Sequence, residues 1–401
     1  MARIRIRRII AKLLLLPIVL FCHLLFLVAR PFVIVQIYLI DFPFGHLLSM
    51  THANELRNLT WNRNHTRKKC TLYCFPGPYS SRYALNKLAE NVPVVVGNPA
   101  WLFAKTSQFI PNASIYFEKD NQLQYYEDLK PLIRFNEDEV ELGKSFIKGN
   151  QYNFICLNVR DAAYNNFLNN TFKINAKIYP HRDSKIENYL RALTYLTQIG
   201  YTIYRMGALT SSKLKTTNPK IIDYSNNGMR SEFLDFYLGA NCKFAISTGS
   251  GWDEIPVIFQ RPLLLANLFD FLSESNLRRT ALIYPKKFVS KQTGHFLGLR
   301  QIIEVSIPNS HLFKNKTINS DNQLGVVDLS SEELVEAVTE MAQRVEGTFV
   351  ETPEQKKMQA KLKHILSTHP KLQPSPNYYP IRAQFASCFL SRYPNFLDGL
   401  D

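Results

Sequence analysis

Phe244 to Asn267 reads FAISTGSGWDEIPVIFQRPLLLAN. Cys242 to Ile246 has the apolar, β-branched pattern of a buried strand, and it runs directly into Ser247-Thr248-Gly249-Ser250-Gly251. A short helical stretch and a second apolar run, Pro262 to Ala266, follow. Small residues at the carboxyl end of a strand let backbone N–H groups converge and a ligand come close. A helix behind such a loop adds its positive end. The stretch therefore reads as a place for a phosphate or diphosphate, or as a plain Gly/Ser turn between core strands. It is neither a P-loop, since no GK[ST] follows, nor a G-x-G-x-x-G fingerprint.

Outward from this stretch the chain alternates strands with helices. Towards the amino terminus lie apolar runs at 32–40, 70–75, 92–97, 113–117, 154–159, 201–206 and 221–224, with helical patterns at 46–57, 80–90, 184–199 and 231–240. Beyond it, helices are expected at 294–304, 330–346 and 353–368. The pattern predicts an α/β protein of two Rossmann-like, doubly wound domains facing a cleft, with an N-terminal apolar helix. Expected boundaries are 1–30 for a basic, apolar, membrane-associating helix, 31–150 for the first Rossmann-like domain, 151–350 for the second, and 351–401 for a C-terminal helix and tail.

Composition fits. The chain has 401 residues, 46% hydrophobic and 20% charged, which is globular and long enough for two cores. A net charge of +15 suits nucleic acid, an acidic membrane surface or an anionic substrate. No nucleic-acid-binding motif accompanies it, so nucleic acid is not expected as a partner. The six cysteines form no disulfide or zinc spacing, which favours a reducing compartment. No D-x-D triplet follows a strand, and no G-x-S-x-G or H-E-x-x-H occurs.

Arg3, Arg5, Arg7, Arg8 and Lys12 precede the apolar stretch Leu13 to Ala29. No small-residue cleavage site follows, and about 20 apolar residues are needed to span a bilayer. At about 100° per residue, Arg5, Arg8, Lys12, His23 and Arg30 share one sector, together with Leu16, Val19 and Phe26. The expectation is an interfacial helix turning that cationic sector to anionic head groups; a tilted span is the alternative.

Several polar groups fall at expected strand ends: Gly45-His46 after the first strand, Arg160-Asp161 after 154–159, Arg205 and Gly207 after 201–204, and Asn267 after 262–266. His181-Arg182-Asp183-Ser184 precedes a helix, where Ser184 and Glu187 match a capping box. Capping needs neither His181 nor Arg182, and an arginine beside a helix start calls for an anion.

The segments Phe44-Gly45-His46-Leu47, His181-Arg182-Asp183-Ser184 with Ile186 and Tyr189, Tyr204-Arg205-Met206-Gly207, and Ser247-Thr248-Gly249-Ser250-Gly251-Trp252, then Pro262 and Asn267, occur in that order. They resemble a family of glycosyltransferases from bacterial surface-polysaccharide gene clusters, from about residue 33 to the C-terminus. The resemblance implies a two-domain GT-B architecture, no catalytic metal, and transfer from a nucleotide-sugar donor to a glycan or lipid-linked glycan. No cofactor is expected.

Against that background, Ser247–Gly251 are expected to hold the leaving diphosphate, with Arg160, His181, Arg182, Arg205, Gly207, Trp252 and Asn267 around it. His46 is the candidate base, Asp161 and Asp183 are its reserves, and Gly45 belongs to an acceptor-side loop. Because nucleotide sugars are cytosolic, the cytoplasmic face of a membrane is the expected location. The alternatives are transfer of another anionic donor, such as a pyruvyl or phospho group, or a catalytically silent, membrane-associated glycan-binding protein.

Overall fold

The structure is a computed structural model. It describes residues 2–40, 44–77, 80–107, 115–116, 129–147, 153–172, 180–274, 281–305, 324–370 and 383–398. Two compact units form, residues 1–136 and 137–401.

Unit 1 begins with helix α1, Ala2–Ala29. Strand β1, Val33–Leu39, helix α2, Phe44–Asn64, strand β2, Lys68–Phe75, and helix α3, Arg82–Ala89, follow. Strand β3, Val94–Val96, helix α4, Gly97–Thr106, and strand β4, Ile115–Tyr116, complete it. Its sheet runs β3-β2-β1-β4, all parallel. The β-branched runs form these strands because a parallel sheet covered on both faces needs near-continuous apolar sequence.

Helix α1 corrects one expectation. Val19, 2% exposed, joins Ile37, Cys74, Ala100, Leu102 and Phe103 in the core, with Leu15, Leu16, Cys22 and Phe26 packed against that cluster. His23 Nε2 hydrogen-bonds Thr106 Oγ1 at 2.8 Å. The Lys12 ammonium sits 3.4 Å from the Trp101 ring centroid, and Phe26 stacks on Phe103. The sector read as cationic and outward is therefore, from Lys12 to Phe26, the packed one. Its two polar residues are tolerated there because α4 offers a π face and a hydroxyl. The exposed sector is apolar instead: Leu14, Ile18, Phe21, Leu25 and Val28, flanked by Leu13, Leu20, Leu24 and Leu27.

Unit 2 opens with helix α5, Glu137–Ile147, whose Gly143 lies against the Tyr237 ring. The division between the two units falls at 136/137. Next come β5, Phe154–Asn158; α6, Ala163–Phe172; α7, Leu190–Gln198; β6, Thr202–Arg205; and β7, Ile221–Ile222. They are followed by α8, Glu232–Asn241; β8, Phe244–Ser247; α9, Glu254–Ile258; β9, Leu263–Leu268; and β10, Ala281–Pro285. An antiparallel pair, β11, Lys287–Ser290, with β12, Leu324–Val327, precedes the helices Ser331–Val345 and Pro353–Thr368.

The tail is not an appendage: β13, Gln384–Phe385, pairs with β10 at the edge of the main sheet. Glu340 fixes the residues behind it, accepting from Ser387 N at 2.9 Å and Cys388 N at 2.8 Å. The seven strands run β13-β10-β9-β8-β5-β6-β7, all parallel. Renumbered within the unit, β7-β6-β5-β8-β9-β10 is the order 3-2-1-4-5-6 of a doubly wound dinucleotide-binding sheet. The chain reverses direction across the sheet between β5 and β8, which is where such sheets open a crevice at their carboxyl ends.

Candidate functional site

The Ser/Gly loop stands at that crevice, because β5 and β8 end side by side with Asn158 opposite Ser247. Asn158 Nδ2 donates to Ser250 Oγ at 2.6 Å, Thr248 N to the Asn158 carbonyl at 3.3 Å, and Arg160 N to Thr248 Oγ1 at 2.9 Å. Gly249 has φ +88°, which favours glycine, and a Cβ there would lie 2.7 Å from Leu268 Cδ1. Gly251 is exposed and is not among the positive-φ glycines.

The expected cradle of free N–H groups is not what the loop provides. Gly249 N donates to Ser247 Oγ at 3.3 Å, and Ser250 N to the buried Asp253 carboxylate at 2.8 Å. Trp252 N donates to Ser250 Oγ at 3.2 Å. Ser250 and Asp253 make a capping box, so the Gly249, Ser250 and Trp252 donors are occupied and a carboxylate lies beside them. The S-x-x-D spacing carried this signal in the sequence. Trp252 packs over Gly239 of α8.

Three more site candidates prove structural. Arg205 is 1% exposed, and its Nη1 donates to the Ser212 carbonyl at 2.9 Å and Asp223 Oδ1 at 3.1 Å, so it closes a buried pair. Asp161 accepts from Ala163 N, Ser211 N and Ser211 Oγ, each at 2.8 Å, capping α6 and clasping the loop after β6. Asn267, with φ 61°, donates to Tyr189 Oη at 3.1 Å and accepts from Leu329 N at 2.7 Å. Arg205 Nε, by contrast, is buried without a hydrogen-bond partner among the described residues. Gly207 shapes the turn after β6: its φ is +141°, and a Cβ would meet Thr210 Cγ2 at 2.8 Å.

What gathers at the crevice is the 180–184 loop. Ser184 N donates to the Arg160 carbonyl at 3.1 Å, and Arg182 Nη2 to the Gly249 carbonyl at 3.2 Å, which ties this loop to the ends of both β5 and β8. Arg160 Nε stands 3.7 Å from Asp183 Oδ1. Lys286, directly after β10 and 3% exposed at its side chain, donates to the Asp183 carbonyl at 2.6 Å and pairs with Asp328 at 2.7 Å. Nothing in the sequence marked Lys286, because its partners lie 103 and 42 residues away.

The His181 ring lies 4.2 Å from that of Phe269. Burial, then the charges of Arg182, Lys286 and Arg160, lower its pKa to about 4, so the imidazole is neutral at pH 7. Burial raises the Asp183 carboxyl despite the neighbouring cations. Arg160 and Lys286 are paired with Asp183 and Asp328, whereas Arg182 bonds a neutral carbonyl and can take negative charge. Among the described residues no three His, Cys, Asp or Glu side chains gather as metal ligands.

In unit 1, Gly45 and His46 belong to the first turn of α2 and not to a loop, with the Gly45 carbonyl accepting from Ser49 Oγ at 2.8 Å. The half-buried His46 thus follows the carboxyl end of β1, beyond residues 41–43, which lie outside the described residues.

No protein-family model matches the chain, and no curated protein sequence does. Among solved structures, ADP-heptose LPS heptosyltransferase II of E. coli is 11% identical, with a TM-score of 0.40 and coverage of 79% of this chain and 99% of that one. A glycosyl transferase of family 9 from Veillonella parvula is 13% identical, with a TM-score of 0.42 and coverage of 78% and 97%.

Proposed function

We propose that the chain is a glycosyltransferase that moves a sugar from a nucleotide-sugar donor to a hydroxyl of a glycan or lipid-linked glycan, at the cytoplasmic face of a membrane. The observation that supports this reading is the neutral His181 among Arg160, Arg182 and Lys286, at the crevice of a 3-2-1-4-5-6 sheet. The motif resemblance points the same way. The diphosphate gains charge as the anomeric bond breaks, and Arg182 stabilises it without a catalytic metal. His46 is the proposed base for the acceptor hydroxyl, with Asp183 as its reserve.

A panel of nucleotide sugars tests this by thermal shift and by release of the nucleoside diphosphate. One donor should raise the melting temperature and be turned over in EDTA. Arg182→Ala should weaken its binding by about 10–100-fold, the loss of one charge-assisted contact. Activity that vanishes in EDTA and returns with magnesium overturns the metal-independent mechanism. Binding without transfer or hydrolysis makes the chain a silent binding protein, and no binding to any donor ends the reading.

A further inference from the structure

We propose that α1 lies in the plane of a lipid bilayer and enters its apolar layer by the face turned away from unit 1. The inference is independent of the transferase reading. It starts from the sorting of residues around the helix: Lys12, Val19, His23 and Phe26 pack on α4 and β1, whereas Leu14, Ile18, Phe21, Leu25 and Val28 are 49–71% exposed on the opposite side. Those five recur at i, i+4, i+7, i+11 and i+14, one continuous helical stripe. A stripe of large apolar groups this long on a protein surface marks an interaction site.

Charge identifies the occupant. Every charged side chain before Asp41 is basic, with Arg3, Arg5, Arg7 and Arg8 at one end of the stripe and Arg30 at the other. If two copies paired through this face, parallel or antiparallel, a basic end would meet a basic end. Anionic head groups complement both ends at once, and hydrocarbon takes the stripe between them.

Spanning fits less well. Length does not decide it, because Ala11–Ala29 is long and apolar enough to cross a membrane. A helix fastened to α4 from Lys12 to Phe26 would carry α4, with its exposed Lys105, and the adjoining sheet into lipid that cannot bond their polar groups.

The experiment uses the full chain with vesicles of phosphatidylcholine and phosphatidylglycerol. Leu14→Trp and Val28→Trp report depth through quenching by lipids brominated at different positions, measured as the increment over the parent chain. In-plane seating puts both at the same shallow depth. A span separates them by about 21 Å, and that result overturns the proposal. Ile18→Ser/Phe21→Ser/Leu25→Ser should cut vesicle partitioning by about 100-fold or more, with the melting temperature unchanged, since all three side chains point away from the core. Unchanged partitioning of this variant, or flotation that high salt abolishes, means binding by charge alone and overturns the insertion. A triple variant that fails to float only because it unfolds leaves the depth measurement as the arbiter. Loss of self-association without loss of flotation would assign the face to a second copy instead.

Discussion

The first four strands of each unit run in the same order, β3-β2-β1-β4 in one and β7-β6-β5-β8 in the other, yet the two sheets use their buried polar groups differently. Unit 1 places them across the middle of the layer. Asn54 Nδ2 donates to Thr71 Oγ1 and Tyr73 Oη, both at 2.8 Å, Asn58 reaches Thr71 at 2.9 Å, and Tyr73 Oη donates to Glu55 at 2.6 Å. That network fastens α2 to β2. In unit 2, β5, β8 and β9 are apolar until their last two residues, and the polar groups collect beyond the carboxyl ends. One topology therefore serves two purposes. Polar groups in the middle of the layer hold a helix in register; polar groups at the strand ends form a site.

The histidines sharpen the contrast. Both His52 and His181 have pKa values lowered to about 4, principally by burial. His52 Nδ1 bonds the Leu48 carbonyl at 2.8 Å and its Nε2 accepts from Leu132 N at 3.1 Å, so both nitrogens are occupied. His181 is only half-buried and faces three cations.

The largest effect expected is from Asp223→Ala. It strands Arg205 in the core and should cost about 3–5 kcal/mol by denaturant unfolding. A small cost would return Arg205 to the list of ligand contacts. Next comes His52. Its folded pKa is about 4 against 6.5 unfolded, so the unfolded chain binds more protons between those values. Its contribution is complete above pH 6.5 and is lost as the pH falls to 4, by roughly 3 kcal/mol in all. His52→Gln should flatten that slope in unit 1.

Asp235 in unit 2 works oppositely. Burial raises its pKa to about 6, so its contribution is present below the unfolded value of 3.8 and is lost as the pH rises to 6. Hydrogen exchange followed separately in the two units measures both, and His52→Gln leaving the slope of unit 1 unchanged would refute the assignment. Gly249→Ala, at a left-handed φ with Leu268 in the way, should cost about 1–3 kcal/mol. A neutral result would mean that the loop is freer than its contacts indicate. The smallest effect is expected from Glu336→Gln, which loosens a half-exposed pair with Arg392 and should cost less than about 0.5 kcal/mol.

The strands that form the centre of both sheets were legible because fully buried parallel strands must be apolar throughout, as in FICLN and FAIS. Two-residue β13 was not, since two residues have no period, and β10 follows residues that gave no turn signal. The site divided along similar lines. His181 and Arg182 stood out because helix capping left them unexplained, and Arg160 because it follows a buried strand. Arg205 misled, because its partner Asp223 is 18 residues away and a sequence shows a charge without its pairing. The helical periodicity of α1 was correct, but which sector faced the protein depended on Trp101 and Thr106 of α4, and no pattern within residues 1–30 could show that.

The fastening of α1 also bears on how the protein can be handled. Removing residues 1–29 to obtain a detergent-free form would strip Val19 and Phe26 from Ile37, Ala100 and Phe103, uncovering the core of unit 1. Such a truncation should aggregate, whereas full-length protein with polar residues on the outward stripe should stay in solution. For this chain the route to a soluble sample is to repaint the helix, not to cut it off.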